Sequence, residues 1–344
     1  MRLIDLVAQC RRPFLVHRSN GNLTYHLRGA MELAGEVGSC PMRYLLTDEL
    51  ARVCAGLAYS SGDRLVECLD LIRVPATSMW VEWSEAAELT GGAFIGQAQP
   101  QIRPGRRSGA YISSAAGGRQ ARLCSFWSDG EEALASPFEA ALDFDAGQLI
   151  NPSEKDVFHG GWASVTDTDP EVADLLSCVR FRLEPSWANY YCDAARSEEN
   201  RAMVLRDSLG GVARGVLMVL AFLLLLVSSE GVSVRPISWE TLNRKRAQNG
   251  KLPLLDHLEA ALALSLREIA DTGLDSHAGI LGRVGPRRHH VRGHLVRRQN
   301  RIFWRRPHLR GSSLRGNILS RTVTLSFDNQ DRGVHVRTLW ADKL

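Results

Sequence analysis

The chain has 344 residues, enough for one large domain or two ordinary ones with real cores. Hydrophobic residues make up 44% and charged residues 23%, which excludes an intrinsically disordered chain. The net charge of +4 hides a lopsided distribution: Ser276 to Phe327 holds twelve arginines and no Asp, Glu or Lys, whereas Asp129 to Asp156 sets eight carboxylates against Lys155 alone.

The seven cysteines are spaced singly, with no Cys-x-x-Cys. That pattern argues against a disulfide framework or zinc ribbon and for free thiols in a reducing compartment. Asp5 interrupts the N-terminal apolar stretch and Arg11-Arg12 follow closely, so no signal peptide is expected.

In chain order, residues 1–77 read as a helical region. A helical pattern starts at Tyr44, with Thr47 as its cap and Asp48 and Glu49 in the first turn. Leu50, Val53, Cys54 and Leu57 share one face, and Gly62 breaks the pattern. A second helix is expected from Leu65, Cys68, Leu69 and Ile72, ended by Pro75. Residues 78–146 then turn β-prone. Met79 to Trp83, Gly109 to Ser113, Arg122 to Trp127 and Ala140 to Asp145 read as strands, with a turn at Gly117-Gly118.

Helix is expected again over Asp169 to Arg180, and over Ala194 to Leu209 as far as Gly210-Gly211. Gly215 to Val227 is a run of thirteen residues without charge, shorter than the roughly 20 a membrane span needs. It reads as a helix buried on all sides over 212–228, so no membrane association is expected. Pro236 ends that region. Ser238 caps a short helix, Trp239 to Gln248, closed by Asn249-Gly250, and Leu254 to Leu264 fits strand or helix. Val291 to Arg298, Arg301 to Arg306, Arg321 to Phe327 and Val334 to Trp340 read as strands. The expected class is α+β: a helical N-terminal region, a mixed or antiparallel β-sheet with the buried helix over 78–275, and an arginine-rich β-hairpin module over 276–344.

Arginine pairs two phosphate oxygens at once and stacks on bases. Twelve arginines with interleaved His, Phe303 and Trp304 therefore point to an anionic partner. Arg288, His290, Arg292, His294, Arg297, Arg298, Arg301, Trp304, Arg305, His308 and Arg310 are the candidate contacts. Two other readings stay open: docking of this segment on the chain's own acidic stretch, and a carboxylate-bearing polypeptide. His290 and His294 are four apart, but on a strand that spacing carries no ligand geometry, and the arginines around them repel a cation. Phosphate-loop, dinucleotide-loop and nucleophile-elbow motifs are absent, so no catalytic residue, cofactor or metal is assigned. Asp143 and Asp145 could serve as metal ligands of a nuclease, which is the enzymatic alternative. Trp80 and Glu82 share one strand face and would suit a peptide or amine pocket if that face were open.

His289-His290-Val291-Arg292-Gly293-His294 and Arg301-Ile302-Phe303-Trp304-Arg305-Arg306-Pro307-His308-Leu309-Arg310-Gly311 together resemble the C-terminal signature of a family of phage and mobile-element proteins. Trp239 to Arg246 and Gly250 to His257 are similar to segments of the same family, in the same order, as are Met79 to Trp83 and Phe144-Asp145. Leu295 stands where the family carries an aromatic. The family includes a type V-A anti-CRISPR that represses biogenesis of its target nuclease. The resemblance implies a non-enzymatic factor of the host-cell cytoplasm. It would bind a host or defence polypeptide, in that relative a nascent chain, and RNA through the basic C-terminal surface. The alternative is a metal-dependent nucleic-acid-processing enzyme.

Overall fold

A computed structural model describes residues 2–11, 15–17, 23–24, 27–60, 68–91, 105–128, 132–145, 179–183, 198–228, 231–263, 287–291, 294–298, 301–305, 308–310, 312–318, 322–327 and 334–339. Helix α1 (Leu3–Ala8) is followed by strands β1 (Leu15–His17) and β2 (Leu23–Thr24), helix α2 (Leu27–Ser39), strand β3 (Met42–Leu46) and helix α3 (Asp48–Ser60). A 3-10 turn, Leu69–Leu71, precedes strand β4 (Ser78–Ser84), helix α4 (Glu85–Gly91) and strands β5 (Arg107–Ser114), β6 (Gln120–Ser128), β7 (Ala133–Asp143) and β8 (Val179–Leu183). Helix α5 (Glu198–Val227), strand β9 (Val232–Ile237), helix α6 (Glu240–Gln248) and strand β10 (His257–Leu262) follow. The C-terminal strands are β11 (Arg287–Val291), β12 (His294–Arg298), β13 (Arg301–Arg305), β14 (His308–Arg310), β15 (Ser312–Ile318), β16 (Thr322–Phe327) and β17 (Val334–Leu339). The class is α+β.

Backbone proximity divides the chain into two units. The first is Met1–Ala93, Pro100–Ala263 and Arg297–Phe303; the second is Phe94–Gln99, Leu264–Val296 and Trp304–Leu344. The first is built on a ten-stranded sheet in the order β2-β1-β7-β6-β5-β4-β3-β10-β9, with β8 also on β7. Strands β4 to β7 form an antiparallel meander, while β3 runs parallel to both β4 and β10. The outer edge of β7 is shared: β1 meets it at Leu134, and β8 pairs with Phe138 to Leu142. In the second unit β11 lies between β14 and β15, and β16 pairs with β17.

The core follows from strand alternation. Trp80 and Glu82 face α1, and Val81 and Trp83 face α5. Helix α5 buries Val216 to Leu225 to 2% exposure or less, as the apolar run requires. Its Phe222 meets Tyr44 edge-on at 5.2 Å, and Gly215 lets it approach the sheet, since a Cβ there would lie 3.0 Å from Ser125 Oγ. Among the described residues no helix is long and apolar enough to cross a membrane.

Several expected boundaries move. Helix α5 runs unbroken through Gly210-Gly211; two helical glycines cost about 1 kcal/mol each, less than burial of the following run returns. Tyr44 lies in β3, and α3 starts after Thr47, whose carbonyl accepts Ala51 N–H at 2.9 Å. Val179 and Arg180 belong to a strand, because β7 offers them an open edge; residues 169–178 of that expected helix lie outside the described residues. The expected second helix is, over 68–72, one 3-10 turn and extended chain, and residues 61–67 are not described. Pro236 sits within edge strand β9, where its missing N–H costs no ladder bond on the open side. The single strand expected over Val291 to Arg298 is two, β11 and β12.

Candidate anionic-partner surface

Strand β13 separates its side chains by alternation. Ile302 and Trp304 are buried, while Arg301, Phe303 and Arg305 are exposed, Phe303 at 38%. Strand β12, its hairpin partner, buries Leu295 and exposes Arg298. On β13 the apolar residues take the covered side and leave Arg301 and Arg305 to the other; on β12 Arg298 falls opposite buried Leu295, whereas Arg297 shares the side of Leu295. Among the described residues, none of Arg298, Arg301 and Arg305 has a carboxylate within ion-pair distance. Alternate residues on a strand are about 6.8 Å apart, so β13 presents cation, aromatic ring and cation in a row. Such a row can hold oxyanions at its ends and stack a planar group on the ring between them.

Arg297, one of the candidate contacts, is already engaged. Its Nη1 and Nη2 donate to Asp70 Oδ1 and Oδ2 at 2.9 and 2.8 Å, a two-bond fork within the first unit. Trp304 is corrected. Its ring is buried and its Nε1 finds no acceptor, so Phe303 is the ring available for stacking. Alternation along Arg301 to Arg305 carried that signal. His294 is half-buried and already has partners. Arg288 and His290 lie on β11, and His308 and Arg310 on β14, where His290 stands opposite Leu309. Arg292 lies outside the described residues. His290 and His294 sit on separate strands, so their four-residue spacing has no ligand meaning.

Three of the described carboxylates of the acidic stretch, Glu139, Asp143 and Asp145, have partners within the first unit. Glu139 pairs with Arg122 and Arg182, and Asp145 Oδ1 accepts from Arg119 Nε at 2.8 Å. Asp143 accepts from Gln120 Nε2 and from Asp145 N–H, at 3.1 and 3.0 Å. Asp143 and Asp145 are thus engaged, and among the described residues no three His, Cys, Asp or Glu side chains gather as a metal site.

Trp80 and Glu82 form no open pocket, because α1 closes their face and both are fully buried. Glu82 accepts hydrogen bonds from Leu3 N–H, Ile4 N–H, Trp80 Nε1 and Arg107 Nε. Compared with protein-family models, with curated proteins and with solved structures, the chain gives no match.

Proposed function

We propose that this chain is a non-enzymatic factor of phage or mobile-element type that acts by binding, with an arginine-presenting strand as its contact surface. The partner is a host or defence polypeptide together with RNA, met in the host cytoplasm. One observation carries the reading: Arg301 and Arg305 are exposed on either side of Phe303 in β13 and Arg298 is exposed on β12, with no acidic partner among the described residues. The resemblance of residues 239–311 to the anti-CRISPR-containing family supports the same class. Engagement of Asp145 by Arg119 weighs against the metal-dependent enzyme.

The test uses the full chain in two arms. In the first, a fluorescein-labelled single-stranded RNA is titrated and followed by anisotropy, with the triple variant Arg298→Ala, Arg301→Ala, Arg305→Ala alongside. In the second, partners are captured from host lysate with and without nuclease. Binding that the triple variant loses supports the reading, and partners that survive nuclease identify the polypeptide. Chelator-sensitive cleavage of the RNA, or full binding by the triple variant, overturns it.

A further inference from the structure

Two arginines face each other across an alanine on the same side of the sheet as α1. Ser113 of β5, Arg122 of β6, Ala141 of β7 and Arg180 of β8 are successive cross-strand neighbours, so all four project from one face. Neighbouring strands lie about 4.8 Å apart, which puts the two arginine backbones roughly 10 Å apart. Between them the methyl group of Ala141 leaves a gap. That gap belongs to an open cleft of about 470 Å³, also lined by Gln120 and Asp143, within the range of small-ligand sites, about 300–1,000 Å³.

The charges in the cleft are unequally satisfied. Arg180 is exposed and has no acidic partner among the described residues. Arg122 Nε lies 2.9 Å from Glu139 Oε2, but no hydrogen bond joins them, and Glu139 is gripped from the other side by Arg182. Asp143 is occupied by Gln120 and the backbone of Asp145. Around Arg122 stand Glu139, Glu36 and Cys124, whereas the Arg180 fork is left for an incoming oxyanion. Cys124 lies one row deeper, and burial pushes its thiol up to about 12, so it is neutral and no nucleophile.

We propose that this cleft binds the oxyanion head of a small organic ligand, a carboxylate or a phosphate monoester, clamped between Arg122 and Arg180 above Ala141. Two planar forks converging on one oxyanion is the geometry in which arginine outperforms lysine. Ser113 and Gln120 supply neutral polar contacts at the rim. This site is independent of the β13 surface and does not rest on its function.

The experiment titrates the full chain with inorganic phosphate and, separately, with succinate, by isothermal calorimetry in low-chloride buffer. Saturable binding is expected in at least one arm with a Kd of about 1 mM or tighter, and the arm that saturates identifies the head group. Arg180→Ala should weaken it about tenfold or more, Arg180→Lys should restore it in part, and Ala141→Trp should abolish it by filling the gap. Arg298→Ala should bind as the parent does. If Ala141→Trp fails to fold, Arg180→Ala decides alone, since that exposed side chain has no hydrogen bond or ion pair among the described residues. No saturable binding in either arm, or unchanged binding in Arg180→Ala, overturns the proposal.

Discussion

Glu82 and Ile4 are joined by a hydrogen bond of 2.9 Å from a backbone N–H to a fully buried carboxylate. Leu3 N–H reaches the other oxygen at 3.1 Å. Arg2, at the cap position of α1, provides no side-chain acceptor for the first turn. The cap therefore comes from strand β4, 78 residues away in sequence. Arg107 neutralises the charge and Trp80 Nε1 donates to it at 3.2 Å. Removing the acid strands two amide donors and a half-buried guanidinium. Glu82→Ala should cost about 3–5 kcal/mol, and Glu82→Gln clearly less, because the amide oxygen still accepts. Urea denaturation followed by far-ultraviolet circular dichroism measures both. Equal losses in the two variants would mean that the charge facing Arg107, not capping, sets the cost.

Gly118 closes the β5–β6 turn at φ +68°, and a Cβ there would stand 2.3 Å from Val74 O. Its own carbonyl accepts Val74 N–H at 2.9 Å, so the turn is clamped to the segment before β4. Gly118→Ala meets both a left-handed backbone and a backbone clash. It should destabilise by at least about 2 kcal/mol, read as a shift in the urea midpoint with unchanged slope. A shift below a few tenths of a kcal/mol would show that the clamp yields freely.

His257 gives the first unit a pH response. Its Nδ1 accepts from Arg2 Nη1 at 2.6 Å and Trp239 Nε1 at 3.3 Å. Both are pure donors, so the ring is neutral with its proton on Nε2. Burial first, and the Arg2 guanidinium second, push its pKa below the usual histidine value, against the pull of Glu82, Asp5 and Glu259. The unfolded chain then binds the proton more readily. Stability associated with His257 is full above about pH 6.5 and is lost as pH falls through the lower folded-state pKa. His257→Asn keeps an acceptor without a titrating ring. Its melting temperature, scanned from pH 7.5 downward, should be flatter than the parent's in that window; parallel curves would exclude His257 as the source.

The sequence shows the meander and the central helix because both are periodic and locally decided. Met79 to Trp83 alternates, and Gly215 to Val227 has no charge to expose. What alternation cannot reveal is which side of a strand the chain itself will cover. Trp80 and Glu82 share a face as expected, yet α1 closes it, and a helix of six residues with no acceptor at its cap gives little local sign. Arg180 was hidden for a related reason. Val179–Leu183 reads VRFRL, a period of two, but it follows a helix-like stretch and becomes a strand where it meets the free edge of β7. On the arginine-rich segment the sequence predicts charge correctly and commitment poorly. Alternation sets Arg297 on the face of Leu295 and Arg298 on the other, but Asp70, which takes up the Arg297 fork, lies 227 residues away.

That difference between neighbours gives the sharpest expectation for the contact surface. Arg297 already spends its fork on Asp70, a pair at 33% and 54% side-chain exposure, worth about 0.2–1 kcal/mol after solvent screening. Arg301 has no such partner among the described residues. Each arginine that meets a phosphate of a single strand releases counterions, so its loss lowers the slope of log K against log salt by about 0.7. Arg301→Ala should flatten the salt dependence of single-stranded RNA binding by that amount. Arg297→Ala should leave the slope unchanged and act only on stability, with Asp70→Ala costing the fold the same amount and the double variant no more than either. Phe303→Ala should weaken binding about tenfold or more, as expected for one stacked base, while preserving the slope, because a ring releases no ions. If Arg297→Ala flattened the slope as Arg301→Ala does, the Asp70 fork would open on binding. If none of the variants changed the slope, phosphates would not be the groups that the strand meets, and the carboxylate-bearing polypeptide would be the partner to pursue.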